Sequence, residues 1–285
     1  MNLFLPRRIE SIFLGFWERR ARDTPLFDFL VCIYTASLDC PKAKLEPLLF
    51  FIMAPHIISI PAKPTAVTLD VEKTALIIID MQRDFLLEGG FGESLGNDVT
   101  KLQRAVDPCK SVLEACRHFH DKMLTIHTRE GHRPQEVDIF PWKQKQVNHC
   151  IGKKGAFGRI LIRGSEGHDF VEELYPRKDL GEFVLDKPGK GSFYATDLEL
   201  ILRARNIETL LLCGVTTEVC VHSTVREAND RGFECLVIED ACASYIDEFH
   251  ESAIKMIWAQ GGIFGSVTTS GELREALLQH VIEGS

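Results

Sequence analysis

Six short apolar runs alternate with stretches of helical periodicity from about residue 74 to the end of the chain. Thr74-Ala75-Leu76-Ile77-Ile78-Ile79 carries no charge and stops at Asp80. A run that is apolar on both faces fits a central parallel strand better than a half-exposed one. Further strands are predicted at 123–127, 182–186, 209–213 and 234–238, with a short one at 263–267. Between them, apolar residues recur at helical spacing over about 98–119, 196–205, from Cys220 to about Asp230, 247–260 and 271–281. Gly232 and the pair Gly261-Gly262 supply stops. Residues 129–180 are rich in Gly, Pro and charge and read as loop, with room for one short amphipathic helix at 168–175.

Strands alternating with helices predict an α/β fold, three-layer αβα, with a central parallel sheet and helices on both faces. One domain is expected over residues 66–285. Residues 1–65 read as an N-terminal extension. Within it, 1–52 show no relationship to the later pattern, and Met53-Ala54-Pro55 offers a second start. That stretch therefore reads as a gene-model artefact or an idiosyncratic tail, expected to be poorly ordered. Its apolar runs fall short of the roughly 20 residues of a membrane span. Its Arg content is offset by Glu10, Glu18, Asp23, Asp28, Asp39 and Glu46, unlike a transit peptide. The formal net charge of -8 and the lack of a long basic run argue against nucleic acid and anionic membranes as partners. Nine scattered cysteines, with no C-x-x-C pair, suit a reducing cytoplasmic setting rather than a disulfide scaffold.

Chemistry is expected where predicted strands end, because ligands of open α/β sheets bind beyond the carboxyl ends of the strands. Asp80, Lys187 and Cys220 all lie there. Cys220 follows Gly214-Val215-Thr216-Thr217-Glu218-Val219. It is placed in the first turn of a helix, where free N–H groups and the helix dipole favour an anionic sulfur. A buried cysteine is often plain core, but the Gly-Val-Thr-Thr lead-in suits a turn that presents N–H groups to an oxyanion. Asp80 could be a turn former; beside a thiol it could take the proton and return it to a leaving amine. Asp84 more plainly fixes a loop. Lys187, before Pro188-Gly189-Lys190-Gly191, sits in a constrained segment and would stabilise both anions; Lys190 is its rival.

Together Ile79-Asp80-Met81-Gln82-Arg83-Asp84-Phe85, Lys187 before Gly191-Ser192-Phe193, and Gly214-Val215-Thr216-Thr217-Glu218-Val219-Cys220 resemble the isochorismatase-like cysteine hydrolase family over roughly residues 74–268. The resemblance implies that Asp80, Lys187 and Cys220 form a catalytic triad. It implies a cis bond between Val215 and Thr216, with the Thr216 and Cys220 amides as the oxyanion hole. His127 to His132, Arg226 to Gly232 and Ala259 to Gly265 resemble the biuret amidohydrolase branch. On that branch Gln260 is expected to bind substrate, and Phe85 to wall the pocket.

The expected reaction is cleavage of a C–N bond in a small urea-like amide through a thioester, with biuret, giving allophanate and ammonia, as the first substrate. Ureidoacrylate, an N-carbamoyl amino acid or nicotinamide are the alternatives. An acid substrate would need a cationic clamp, for which Lys190, Arg129 and Arg163 are candidates. A redox or scaffold protein that keeps the fold without the chemistry is the alternative of another class. No cofactor is expected. Nor is a metal: Glu130-Gly131-His132 with His149 only partly imitates the metal-binding set of nicotinamidases in the family. Family resemblance implies a homo-oligomer, dimer or tetramer, with 129–180 a candidate interface.

Overall fold

The apolar runs at 74–79 and 209–215 become neighbouring strands because neither has a face that suits water. In the computed structural model, which describes residues 56–147 and 149–283, the strands are β1 (Ile57–Ile60), β2 (Val67–Asp70), β3 (Thr74–Ile79), β4 (Leu124–Glu130), β5 (Phe183–Lys187), β6 (Thr209–Val215), β7 (Glu234–Ala243) and β8 (Ser266–Thr268). Every residue of β3 and of β6 is buried. Six strands form one parallel sheet in the order β8-β7-β6-β3-β4-β5. The main helices are α1 (Arg83–Leu86), α2 (Val106–Arg117), α3 (Pro141–Gln144), α4 (Leu198–Ala204), α5 (His222–Asp230), α6 (Asp247–Gly262) and α7 (Ser270–Glu283). α2 carries β3 to β4, towards one edge, while α4, α5 and α6 serve crossovers towards the other. Right-handed crossovers of opposite direction put helices on opposite faces, and α2 packs against α7. The result is a three-layer αβα fold.

The chain departs from β3 towards β4 and later returns to lay β6 on the other side of β3. That reversal is the topological switch point, where an open sheet leaves a crevice at its carboxyl rim. Gly214 makes it possible. Its φ of 112° is open to glycine, and a Cβ there would lie 2.1 Å from the Ile79 carbonyl oxygen on the neighbouring strand. Backbone cannot yield as a side-chain tip can. Gly214→Ala is therefore expected to destabilise the fold by about 3 kcal/mol or more, read as a lower denaturant midpoint. A midpoint equal to the wild type's would refute the close-approach argument.

Several boundaries differ from the sequence expectation. The folded unit starts before residue 66: β1 pairs antiparallel with β2, and Lys63 bridges Val267. These contacts supply the hydrogen bonds that an isolated extension would lack. The expectations for 1–52 lie outside the described residues. The helix expected at 98–119 is two, Thr100–Gln103 and α2. No helix forms at 168–175; single 3-10 turns at Glu166–His168 and Glu172–Leu174 flank an extended piece. That piece ties down the loop after β3, through Arg83 N–H to Asp169 O and Val171 N–H to Met81 O at 2.9 and 3.1 Å. β8 starts later than expected, because Gly265 first passes against the Cys235 carbonyl.

Asp84 fixes the same loop. Its Oδ2 accepts the Leu161 N–H at 2.8 Å, and burial pushes its carboxyl up to about 6. An acid whose folded pKa is raised stabilises the fold below its unfolded value, near 3.8, and loses that contribution as pH rises through about 6. Asp84→Asn keeps an acceptor for Leu161 without the charge. It is expected to be more stable than wild type at pH 7 by up to about 3 kcal/mol, the gap closing towards pH 4. A pH-independent difference between the two would contradict this.

Candidate active site

The carboxyl rim collects its side chains from four consecutive places in the sheet. Asp80 is the residue after β3, in a left-handed conformation with φ 52°. Its N–H meets the Thr128 carbonyl at 3.2 Å, and its Oδ1 accepts the Thr128 hydroxyl at 2.7 Å. Lys187 ends β5, and its side chain reaches back across β4 to bring Nζ within 2.7 Å of Asp80 Oδ2. The Gly189 and Lys190 carbonyls, both at 2.9 Å, take two further protons of that ammonium. Cys220 lies beyond β6 in a single π-helical turn, Thr217–Val221, that precedes α5. Ligand atoms of Asp80, Glu130 and Cys220 all lie within 4.8 Å of one another. Asp80, Lys187 and Cys220, separated by 107 and 33 positions in sequence, therefore share one buried cluster.

Glu130 was not singled out as a site residue by the sequence. It ends β4, directly between the strands of Asp80 and Lys187, and pairs in register with Lys187. Its side chain is fully buried. Oε1 accepts the Lys190 ammonium at 2.6 Å, while Oε2 lies 3.8 Å from Lys187 Nζ and accepts the Cys220 thiol at 3.5 Å. Lys187 and Lys190 are thus both members of the cluster, not rivals.

Burial and charge set the protonation states. Desolvation opposes ionisation of Glu130, yet Lys190 and Lys187 outweigh it and hold the carboxyl below its usual range. Asp80 goes the other way: burial raises it, and the attraction of Lys187 is countered by repulsion from Glu130. Burial also pushes the Cys220 thiol well up, more than Lys187 lowers it. Burial thus opposes the anionic sulfur that a helix start favours, and the thiol needs a base to take its proton. Cys220 is 3% exposed, and two carboxylates already balance two ammoniums around it. A thiolate would add an unbalanced charge.

The remaining expectations are placed as follows. The Val215–Thr216 peptide is cis, and the Thr216 carbonyl accepts the Val219 and Val221 N–H groups at 3.2 Å each. Phe85 is buried in α1 with its ring edge-on to Phe91 at 5.5 Å, and its carbonyl accepts the Tyr245 hydroxyl at 2.8 Å. Phe91, half-buried, lies 5.9 Å beneath the Lys190 ammonium. Gln260 does not join the cluster. It is exposed, in a left-handed turn with φ 53° where α6 ends. The helix is broken there, with Ala259, Gln260 and Gly261 out of helical conformation, and Phe264 just beyond packs its ring against His222 and Arg226 of α5. Arg129 is taken by Asp186 at 2.7 Å and Asp169 at 3.1 Å. Arg163 donates Nε to the Gly131 carbonyl at 3.0 Å.

A cation does not fit the donor set. Glu130, the carboxylate that would have to coordinate it, is held by two ammoniums, and Asp80 by one of them. His132 has Asp138 as its nearest carboxylate, at 3.6 Å. No step below runs through a metal.

This arrangement coincides with a family. The isochorismatase domain model matches residues 74–270. The chain belongs to the isochorismatase family. It is similar to the ureidoacrylate amidohydrolase RutB of Caulobacter segnis, with 30% identity over 228 residues, 78% of this chain and 93% of that protein. Among solved structures, a cysteine hydrolase from Pseudomonas syringae pv. phaseolicola shares the fold with a TM-score of 0.62, at 24% identity, over 80% of this chain and all of that one. The N-carbamoylsarcosine amidase of Thermoplasma acidophilum is similar at TM-score 0.53 and 26% identity, over 70% of this chain and 98% of that chain.

Proposed function

We propose that the chain is a cysteine-dependent amidohydrolase that cleaves a C–N bond of a small ureido compound through a thioester at Cys220. The observation that carries this is the convergence of sulfur, carboxylate and ammonium, with Lys187 Nζ 2.7 Å from Asp80 Oδ2 and the reactive atoms of Asp80 and Cys220 within 4.8 Å. Asp80 takes the Sγ proton as sulfur attacks the carbonyl carbon. The carbonyl oxygen becomes an oxyanion that accepts from the Thr216 and Cys220 amides. As the C–N bond breaks, Asp80 passes the proton to the leaving nitrogen. Water then attacks the thioester and gives Asp80 a proton, which returns to sulfur as it departs.

Asp80 is the better base of the two carboxylates despite the hydrogen bond from sulfur to Glu130. A base works best when its pKa approaches that of the acid it serves. Burial and Glu130 raise Asp80, while Lys190 and Lys187 depress Glu130. Glu130 instead holds Lys190 and fixes the thiol by accepting from it. Lys187 offsets the charge of Asp80 while it is ionised and that of the thiolate once Asp80 has taken the proton.

Biuret is the substrate that the sequence put first, on the resemblance of several segments, with Gln260 as the expected binding residue. Among the described residues no hydrogen bond or ion pair joins Gln260 to the cluster, and nothing in the cluster favours biuret over another ureido compound. A ureido acid is the reading we favour, as in the similar ureidoacrylate amidohydrolase. The test is ammonia release from 3-ureidoacrylate, N-carbamoylglycine, biuret and nicotinamide. Turnover of ureido compounds and none of nicotinamide is expected. No ammonia from any ureido compound would defeat the proposal and leave the scaffold reading standing.

A further inference from the structure

Gln82 follows Asp80 by two residues and is fully buried. Its N–H donates to the Asp80 carbonyl at 2.7 Å, and its own carbonyl accepts the Phe85 and Leu86 N–H groups at the start of α1. The side chain makes three more bonds. Its oxygen accepts the Glu130 N–H at 2.7 Å, and its nitrogen donates to the Glu130 carbonyl at 2.9 Å and to the His168 carbonyl at 3.0 Å. One N–H and two carbonyls as partners fix which end of the amide is which, and both of its donor protons are in use. The Gln82 amide stands where a strand would be. The ladder between β3 and β4 ends at the pair Ile79 and Thr128. Glu130 lies two residues further on, fully buried, with an N–H and a C=O that need partners. Asp80 turns off in its left-handed conformation, and the Gln82 side chain, itself a primary amide, supplies both partners.

The next residue is tied on the opposite side of β4. The Gly131 N–H donates to the Lys187 carbonyl at 3.0 Å, and the His168 ring lies against Gly131 with no room for a Cβ there. The end of β4 is thus held from both sides. What it carries is the Glu130 carboxylate, 3.5 Å from Cys220 Sγ, 2.6 Å from the Lys190 ammonium and 3.8 Å from that of Lys187. We propose that Gln82 is a positioning residue of the active site: its amide fixes the Glu130 main chain, and through it the carboxylate that orients the thiol and holds Lys190. This rests on the reading of Cys220 as nucleophile. Gln82 acts through Glu130 and does not touch the reacting atoms. An apolar side chain of equal length would leave the Glu130 N–H, the Glu130 carbonyl and the His168 carbonyl without these partners, and the end of β4 would shift to find others.

The experiment is a double-mutant cycle of Gln82→Met and Glu130→Gln, read as kcat and KM on 3-ureidoacrylate. Gln82→Met alone is expected to lower kcat about 30-fold with KM changed by no more than about threefold. In the Glu130→Gln background the same substitution is expected to cost no more than about threefold, because the carboxylate it positions is gone. An equal loss in both backgrounds, a loss confined to KM, or a single variant with the kcat of wild type would overturn the inference. Gln82→Asn, which keeps an amide but draws it back by one methylene, carries the same cycle if Gln82→Met does not fold. Alkylation of Cys220 by iodoacetamide, followed by peptide mapping, runs the cycle without substrate. Loss of the Glu130 charge leaves two ammoniums against Asp80, so a thiolate restores the balance. Glu130→Gln is therefore expected to react about tenfold faster at pH 7. Gln82→Met is expected to react faster than wild type, and the double variant no faster than Glu130→Gln. Accelerations that multiply would contradict positioning through Glu130. Wild type that releases no ammonia from any ureido compound would remove the hydrolase reading, while the alkylation cycle would still decide the role of Gln82.

Discussion

Cys220→Ser is expected to fold normally and to lose turnover of ureido substrates by roughly 10⁴-fold or more. The substitution changes volume little at a site that is 3% exposed, so the fold has no cause to fail. Chemistry has every cause. A serine hydroxyl is a far weaker acid than a thiol of about 8.5, and Asp80 is a modest base even when raised by burial. The thiol gap is one that Asp80 can bridge in a charge-balanced site; the hydroxyl gap is not. Steady-state rates with a thermal melt on the same sample check both halves. Retained melting with near-normal rates would remove the sulfur from the mechanism.

Lys187→Met is expected to cost about 3–5 kcal/mol of stability as well as activity, the scale for removing one partner of a buried ion pair. The side chain is fully buried, 2.7 Å from Asp80 and 3.8 Å from Glu130. Without it, two carboxylates face each other with Lys190 alone to offset them, and Asp80 must stay protonated. A protonated Asp80 cannot accept the thiol proton, so the rate falls with the stability. Adding Asp80→Asn to Lys187→Met should recover part of the lost stability, because the orphaned charge goes, while activity stays absent. Urea titrations of the single and double variants provide the test. A Lys187→Met protein within about 1 kcal/mol of wild type would show that the ammonium is not needed to hold the carboxylates.

Much of this was legible in the amino-acid pattern, for a physical reason. Central parallel strands are apolar on both faces, so β3 and β6 stand out, and residues just past them lie at a known rim. Asp80, Lys187 and Cys220 could be placed that way. Glu130 escaped because β4 was read as ending at His127. Thr128-Arg129-Glu130 carries too much polarity to look like strand, and only pairing with β5, Arg129 to Asp186 and Glu130 to Lys187, extends it. Had the strand been taken three residues further, the rim rule would have found the second carboxylate. Gln260 was named from a motif alone; its exposed, left-handed position at the break that ends α6 is a matter of chain geometry that local sequence does not state. The balance of two acids and two lysines around Cys220 was not legible, since it appears only when four distant segments meet.

The most direct test of the account is intact-protein mass spectrometry after rapid acid quench with a ureido substrate, followed by peptide mapping. An acyl adduct confined to Cys220 in wild type, and absent in Cys220→Ser, is the predicted result. Steady turnover with no adduct on Cys220 at any quench time, or an adduct on another residue, would contradict it.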